Sequence, residues 1–151
     1  MELREGGLDD PAVRALVAHH TAEARGSTPA DNAHAMDADA LKRPDIGFWT
    51  IWEEDDLLGF GALRHLSPEE GDLKSMRTAP HALSRGVGRA MLDHLIGLAR
   101  TRGYVRLRLE TGTAPMFDAA NRMYETAGFV DGEAYGGYPA SPHNRFMVLD
   151  L

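Results

Sequence analysis

The sequence contains no cysteine. Disulfide bonds and thiolate metal chemistry are therefore excluded, and nothing requires an oxidising compartment. Basic residues are outnumbered, with 16 Lys and Arg against 23 Asp and Glu and a formal net charge of -7. A protein that attracts nucleic acid or anionic lipid through its overall field needs the opposite sign, so any anion site has to be local.

Long apolar runs are also missing. No stretch approaches the roughly 18 consecutive apolar residues of a membrane-spanning helix. The first residues, Met1 to Gly7, carry charges in place of the apolar run of a secretion signal. We therefore expect no nucleic-acid or membrane partner and a cytoplasmic location. The seven histidines share no ligand spacing, and we expect no metal site.

The composition is that of one globular domain. The 151 residues are 43% hydrophobic, and no linker or repeat divides them, which predicts a single domain over residues 1–151. Asp10 before Pro11 predicts the start of a first helix, which ends near Gly26. A short second helix is expected to begin at Asp37.

Apolar and alternating runs predict a mixed α/β arrangement. Strands are expected at residues 48–52, 57–66, 72–78, 105–110, from 129 onward and at 146–151. Apolar residues at helical spacing predict a long helix that ends at Gly103, and a last helix that ends at Gly128. A right-handed crossover through the long helix makes the strand after it parallel to the strand before it.

The turn from Arg85 to Ala90, between a strand and the long helix, contains Gly86 and Gly88. Glycines there allow the backbone to approach a ligand, and the first N–H groups of the helix can bind an anion. A dinucleotide-binding turn needs a small residue three positions after Gly88, where Met91 stands. No Gly-Lys followed by Ser or Thr occurs, which excludes a P-loop. A local anion site and a tight loop without a ligand both remain open.

Two sequence motifs, one at this turn and one closer to the C-terminus, resemble those of one protein family. Arg85, Gly88 and Ala90 fit the R/QxxGxG/A signature of the GNAT acetyltransferase superfamily. Residues 124–129, YETAGF, resemble the YExxGF ending of the family's fourth helix. Segments 74–78 and 110–112 resemble the small bacterial YsnE-like subgroup. The resemblance covers nearly the whole chain.

The resemblance implies the GNAT fold, an α/β (α+β) fold. Its central mixed, twisted sheet has about six to seven strands flanked by about four helices, and its parallel strands splay apart at the cofactor site. The implied cofactor is acetyl-CoA. By the resemblance, its pyrophosphate would bind the backbone N–H groups of Gly86, Val87, Gly88, Arg89 and Ala90.

Other cofactor contacts also follow from the resemblance. Met76 and Thr78 would pair with the pantetheine arm through main-chain groups, and the N–H of Met76 or Arg77 would meet the oxyanion. Phe117 stands where family members often carry an asparagine that contacts the cofactor, and Asn121 could replace it in part. Arg85 and Arg89 would add positive charge, or be ordinary solvated residues of the helix start.

Acetyl transfer by direct attack of an amine passes through a tetrahedral intermediate. It needs a neutral nitrogen, donors for the oxyanion and a proton for the leaving thiolate. Tyr124 is the candidate proton donor; alternatively it only packs at the core edge with its hydroxyl on a backbone carbonyl. Glu110, Asp72 and His34 are candidate bases, Glu110 could instead have a structural role, and solvent could take the proton.

The acceptor is expected to enter opposite the cofactor. Residues expected to contact it are His34, Arg77, Glu110, Tyr135 and Tyr138. A carboxylate on an amino-acid-like amine could be held by Arg77 or Arg145. We therefore expect an N-acetyltransferase that acts on a primary amine of a small molecule. A protein or peptide N-acetyltransferase and a non-catalytic acyl-CoA sensor are the alternatives, and the family resemblance also allows a homodimer.

Overall fold

The computed structural model describes residues 1–27 and 36–151, which contain seven strands and three α-helices. The strands are β1 Glu2–Glu5, β2 Ile46–Glu53, β3 Asp56–His65, β4 Glu70–Thr78, β5 Arg106–Gly112, β6 Val130–Asp131 and β7 Asn144–Asp150. The helices are α1 Pro11–Ser27, α2 Val87–Thr101 and α3 Asp118–Ala127. Short 3-10 turns occupy Ala40–Lys42, Pro80–Ala82 and Pro115–Phe117. His34, predicted to contact the acceptor, lies outside the described residues.

All seven strands belong to one sheet, in the order β1-β2-β3-β4-β5-β7-β6. Neighbouring strands are antiparallel except for β4 and β5, which are parallel and are joined through α2. The predicted mixed sheet and the crossover are therefore confirmed. No helix of the described residues is long and apolar enough to cross a membrane.

Two segments in the N-terminal third of the chain differ from the prediction. β1 was not predicted, because it is a four-residue edge strand with every residue exposed and therefore has no apolar alternation. The helix expected at Asp37 is only the 3-10 turn Ala40–Lys42, where Asp37 Oδ1 accepts a hydrogen bond from the Ala40 N–H at 2.8 Å. The described residues thus contain three α-helices instead of about four.

Helices α1 and α2 cover opposite faces of the sheet. A Cβ added at Gly61 of β3 would lie 2.7 Å from Met91 Cγ, so Gly61 points towards α2. Phe60 and Arg64 alternate with it and point to the other face. On that face the ring of Phe60 contacts His20 of α1, with the ring centroids 5.7 Å apart. We call these two sides of the sheet the α2 face and the α1 face.

His20 predicts a pH dependence of stability. Burial lowers its pKa from 6.5 to about 4, and the nearby Arg77 guanidinium acts in the same direction against the opposing Glu23. Between these values the unfolded chain binds a proton that the folded chain does not, so stability falls as the pH falls from 6.5 towards 4. We expect a loss of about 2 kcal/mol from this group.

Urea unfolding at pH 7 and at pH 4.5 measures the effect of this histidine. The His20→Gln variant should lose less stability between the two pH values than the unchanged protein, because Gln does not titrate. Carboxylates contribute equally to both proteins and cancel in the comparison. Equal losses in both proteins would exclude His20 as the source.

Candidate active site

β4 and β5 separate halfway along their length. Their parallel pairing runs from Glu70↔Arg106 to Leu73↔Leu109 and stops there. Beyond this point β4 continues beside β3, and β5 continues beside β7. Residues 74–78 of β4 and 110–112 of β5 therefore leave backbone groups facing the gap, and an amide-bearing ligand can pair with them. This is the splay that the family resemblance implied.

A β-bulge explains where the strands separate. Ala62 of β3 pairs with Ser75, but the next residue, Leu63, pairs with Leu73, so Lys74 is an extra residue of β4. Such a bulge bends its strand and increases the local twist. Because Lys74 directly follows the last pair with β5, we infer that the bulge turns β4 away from β5.

The start of α2 lies beside the end of the separated part of β4. Its first hydrogen bond joins the Ala90 N–H to the Gly86 oxygen at 3.0 Å, and no side chain caps the helix. The N–H groups of Val87, Gly88 and Arg89 therefore have no acceptor within the helix. Gly86 adopts φ 80°, a conformation that favours glycine.

Small residues at this helix start leave room for an anion. A Cβ at Gly86 would meet nothing within 4 Å, and one at Gly88 would lie 3.5 Å from Thr78 Oγ1. The free N–H groups and the helix dipole thus adjoin the open edge of β4, an arrangement that can hold a diphosphate and an amide-bearing arm together. The arginines beside them form surface ion pairs, Arg85 with Glu53 at 3.1 Å and Arg89 with Asp93 at 2.9 Å.

Asn121 fastens α3 to the separated end of β5. Its Oδ1 accepts a hydrogen bond from Thr111 Oγ1 at 2.9 Å, and its Nδ2 donates to the Gly112 oxygen at 3.0 Å. The ring of Phe117 packs against Gly112, where a Cβ would collide with it. Both side chains predicted to contact the cofactor therefore brace β5 beside the gap.

Tyr124 lies one turn after Asn121 and is 9% exposed. Its ring packs edge-on against Phe129, with centroids 5.9 Å apart. The hydrogen bonds of residues 1–27 and 36–151 include none to its hydroxyl, so no backbone carbonyl there holds the proton. Burial raises the pKa of Tyr124 to about 12, so the phenol stays protonated across the physiological range.

A buried ion pair lies on the α1 face, next to the point of separation. The Asp72 carboxylate is fully buried and accepts hydrogen bonds from Arg64 Nε at 3.1 Å and Nη2 at 3.0 Å. The Tyr135 hydroxyl donates a third hydrogen bond to Asp72 Oδ2 at 3.0 Å. Burial, followed by the Asp72 charge, raises the pKa of Tyr135, which keeps this donor protonated. Three donors engage Asp72, which leaves it poorly placed as a base.

The loop between β6 and β7 is held over the same region. Lys74 Nζ donates to the Tyr138 hydroxyl at 2.7 Å and lies 4.6 Å from the centroid of its ring. On β5, Glu110 Oε2 accepts a hydrogen bond from Asn144 Nδ2 at 2.6 Å. Glu110, Tyr135 and Tyr138, all predicted to contact the acceptor, are thus brought to the separated strands.

The two arginines predicted to hold a carboxylate have partners within the protein. Arg77 pairs with Glu23 of α1 and lies 3.3 Å from His19 Nε2. Arg145 pairs with Asp131 at 2.7 Å and with Glu125 at 2.8 Å.

Sequence reasoning named Asn144 only as one of the polar residues of the acceptor loop and gave no side-chain role to Arg64 or Lys74. The available signal for Arg64 and Lys74 was a charged residue on the otherwise apolar strands β3 and β4. Their partners, however, lie as far as 64 positions away along the chain, as for Lys74 and Tyr138.

Comparison with known proteins agrees with this geometry. The sequence profile of the Acetyltransferase (GNAT) family matches residues 13–129. The uncharacterized N-acetyltransferase YedL of Escherichia coli is 42% identical, over 99% of this chain and 94% of its own. The uncharacterized N-acetyltransferase YsnE of Bacillus subtilis is 38% identical over all of both chains. A Mycobacterium tuberculosis protein solved in complex with CoA has the same fold, with a TM-score of 0.73 at 19% identity, over 100% of this chain and 99% of that one.

The chain belongs to the GNAT acetyltransferase family. It is an acyltransferase whose acetyl donor is acetyl-CoA, and the uncapped start of α2 and the open edge of β4 fit that donor.

Proposed function

We propose that the chain acetylates a primary amine of a small molecule and that Tyr124 supplies the proton for the leaving thiolate. Bound acetyl-CoA supplies an activated acetyl group as a thioester. The N–H groups of Val87, Gly88 and Arg89 hold its diphosphate, and the main chain of Met76 and Thr78 holds its pantetheine arm. The backbone N–H of Met76 or Arg77 meets the developing oxyanion.

The observation that carries the assignment of Tyr124 is its hydroxyl. The residue as a whole is 9% exposed, no hydrogen bond of the described residues engages the hydroxyl, and that oxygen is not among their fully buried unpaired atoms. The hydroxyl can therefore donate its hydrogen bond to a bound ligand without giving up a partner within the described residues. A phenol with a pKa near 12 gives its proton to a thiolate only when it is well positioned, so its fixed packing against Phe129 matters.

The loop between β6 and β7 supports a small acceptor. Its anchors, Tyr135 on Asp72 and Tyr138 on Lys74, hold aromatic rings over the separated strands on the α1 face. Aromatic walls with a few polar groups are typical of small-molecule sites. Glu110 lies on the separated part of β5 and can accept a proton from the amine directly or through water.

Relatives of the chain leave a protein acceptor as the second candidate. A Streptomyces lavendulae relative, 29% identical over 97% of this chain, is named streptothricin acetyltransferase. A Salmonella typhimurium relative, 36% identical over 64% of this chain, is named as an N-acetyltransferase of the alanine of ribosomal protein bS18. The anchored loop supplies aromatic and polar side chains of the kind that small-molecule sites use, and we therefore rank the smaller acceptor first.

A thiol-release assay separates these candidates. The protein is supplied with acetyl-CoA and, in parallel, with amino acids, diamines and peptides that have free N-termini. Thiol release with small amines and not with peptides is the expected result. Release with peptides alone would show the second candidate to be correct. CoA binding without any thiol release would contradict both and favour a sensor.

Gly88→Ala tests the placement of the diphosphate. The added methyl group would lie 3.3 Å from Met123 Sδ and 3.5 Å from Thr78 Oγ1, and it would crowd the approach to the helix start. We expect the Kd for CoA, measured by calorimetry, to rise about tenfold. Gly97→Ala is the matched control, because it lies in the same helix and its Cβ meets nothing within 4 Å. Equal Kd values for the two variants would contradict the placement.

A further inference from the structure

We propose that Lys74 and Ser75 form a carboxylate-binding subsite on the α1 face, so that the acceptor is an amine that also carries a carboxylate, as an amino acid does. The inference rests on the proposed function and narrows its substrate class.

Both side chains lie at the point where β4 leaves β5. Lys74 is the extra residue of the bulge and directly follows the last β4–β5 pair. Ser75 pairs with Ala62, which alternates with Gly61 and so points away from α2. The Lys74 ammonium meets Tyr138, whose loop also reaches Asp72 on the α1 face. Two adjacent residues, one with an ammonium and one with a hydroxyl, therefore lie on the α1 face where the strands separate.

The charges of this face single out Lys74. Three arginines on the neighbouring strand positions each have a carboxylate partner: Arg64 has Asp72 at 3.0 Å, Arg77 has Glu23, and Arg108 has Glu70 at 2.7 Å. Among the ion pairs of the described residues, none includes Lys74. Its contacts are the neutral hydroxyl and ring of Tyr138. A half-buried ammonium that no carboxylate of the described residues pairs with favours an anionic ligand.

The side chain of Ser75 provides independent support for the subsite. Its side chain is almost fully buried, at 6% exposure for the residue, and its Oγ has no hydrogen-bond partner among the described residues. Buried hydroxyl groups nearly always have a partner, so this one calls for an explanation. A ligand carboxylate bound to Lys74 would accept from the Ser75 hydroxyl as well.

Matched acceptors test the subsite. L-methionine, L-phenylalanine and L-lysine are each compared with the corresponding α-carboxamide, which keeps the amine and the side chain but loses the charge. Lys74→Met should raise KM for the acids about 10- to 100-fold more than KM for the amides, because the amides report only the loss of the Tyr138 contact. If Lys74 only anchors Tyr138, both members of each pair will change together, and the subsite is overturned.

Ser75→Ala separates ligand binding from folding. If the hydroxyl serves a ligand, its removal raises KM for the acids about threefold or more while the melting temperature stays the same or rises. Calorimetric titration of the best acid into the protein with bound CoA should show the same loss of affinity in both variants, without turnover. A lower melting temperature together with equal effects on acids and amides would assign Ser75 a structural role and overturn the proposal.

The two proposals fail differently. Acetylation of amides or diamines with no preference for the acids would overturn the carboxylate subsite and leave the small-molecule acetyltransferase standing. The absence of thiol release with every small amine would overturn both.

Discussion

Tyr124→Phe is expected to lower the rate of acetyl transfer in a single turnover by about 100-fold, the lower end of what a positioned general acid contributes. The phenyl ring keeps the packing against Phe129 and fills the same buried space, so the fold is unchanged. The hydroxyl is removed, and with it the proton for the leaving thiolate. The Kd for CoA should rise by no more than about tenfold, because one neutral hydrogen bond contributes about 0.5 to 1.5 kcal/mol.

Tyr104→Phe is the matched control for this experiment. Tyr104 is also buried, at 5% exposure, but its hydroxyl lies 2.6 Å from His65 Nδ1, beside the paired start of β4. Its removal should cost about 1 kcal/mol of stability and leave the rate unchanged. Equal rates for Tyr124→Phe and the unchanged protein would remove Tyr124 as the acid.

The pKa of Tyr124 also fixes the shape of the pH–rate profile. With a pKa of about 12, the hydroxyl keeps its proton at every pH at which the assay can be run. The rate should therefore rise as the acceptor amine loses its proton and then stay level up to pH of about 10. A phenol with its ordinary pKa of about 10 would lose its proton in this range. A fall of the rate between pH 8 and pH 10 that fits the loss of one proton would therefore contradict the raised pKa of Tyr124.

The cofactor side could be predicted from the sequence because its signals are local. A glycine turn before an amphipathic helix, followed by an alternating strand, predicts α2, the parallel pair and the helix start, all within residues 70–112. The sheet followed from the same alternation. β1 could not be predicted, because an exposed four-residue edge strand has no pattern to read.

The contacts on the acceptor side were harder to predict because the residues that form them are distant from one another in sequence. Tyr135 and Tyr138 were predicted from the composition of their loop, but not their bonds to Asp72 and Lys74, which lie 63 and 64 positions away. Arg77 illustrates the same limit. Its charge suggested a carboxylate ligand, whereas α1 supplies Glu23 as its partner. The bulge at Lys74 depends on the register of two strands, which composition does not determine.

Asp72→Asn is expected to have the largest effect on stability. The change keeps the shape of the side chain but removes the charge that balances Arg64, whose side chain is only 13% exposed. Removing one charge of a buried ion pair lowers the free energy of unfolding by about 3 to 5 kcal/mol. Because Arg64 is partly exposed, we expect a loss of about 3 kcal/mol. Urea unfolding at pH 7 measures it.

A matched exposed pair and a double variant complete the test. Asp150→Asn breaks the ion pair with Arg106, in which the aspartate side chain is 84% exposed, and should cost less than about 1 kcal/mol. Asp72→Leu combined with Arg64→Met removes both buried charges and should recover most of the stability lost by Asp72→Asn.

In that double variant Tyr135 has lost its acceptor, so the loop between β6 and β7 is released while the fold is kept. KM for the amine should then rise with no change in the Kd for CoA. A stable double variant with an unchanged KM would show that the buried pair serves folding alone.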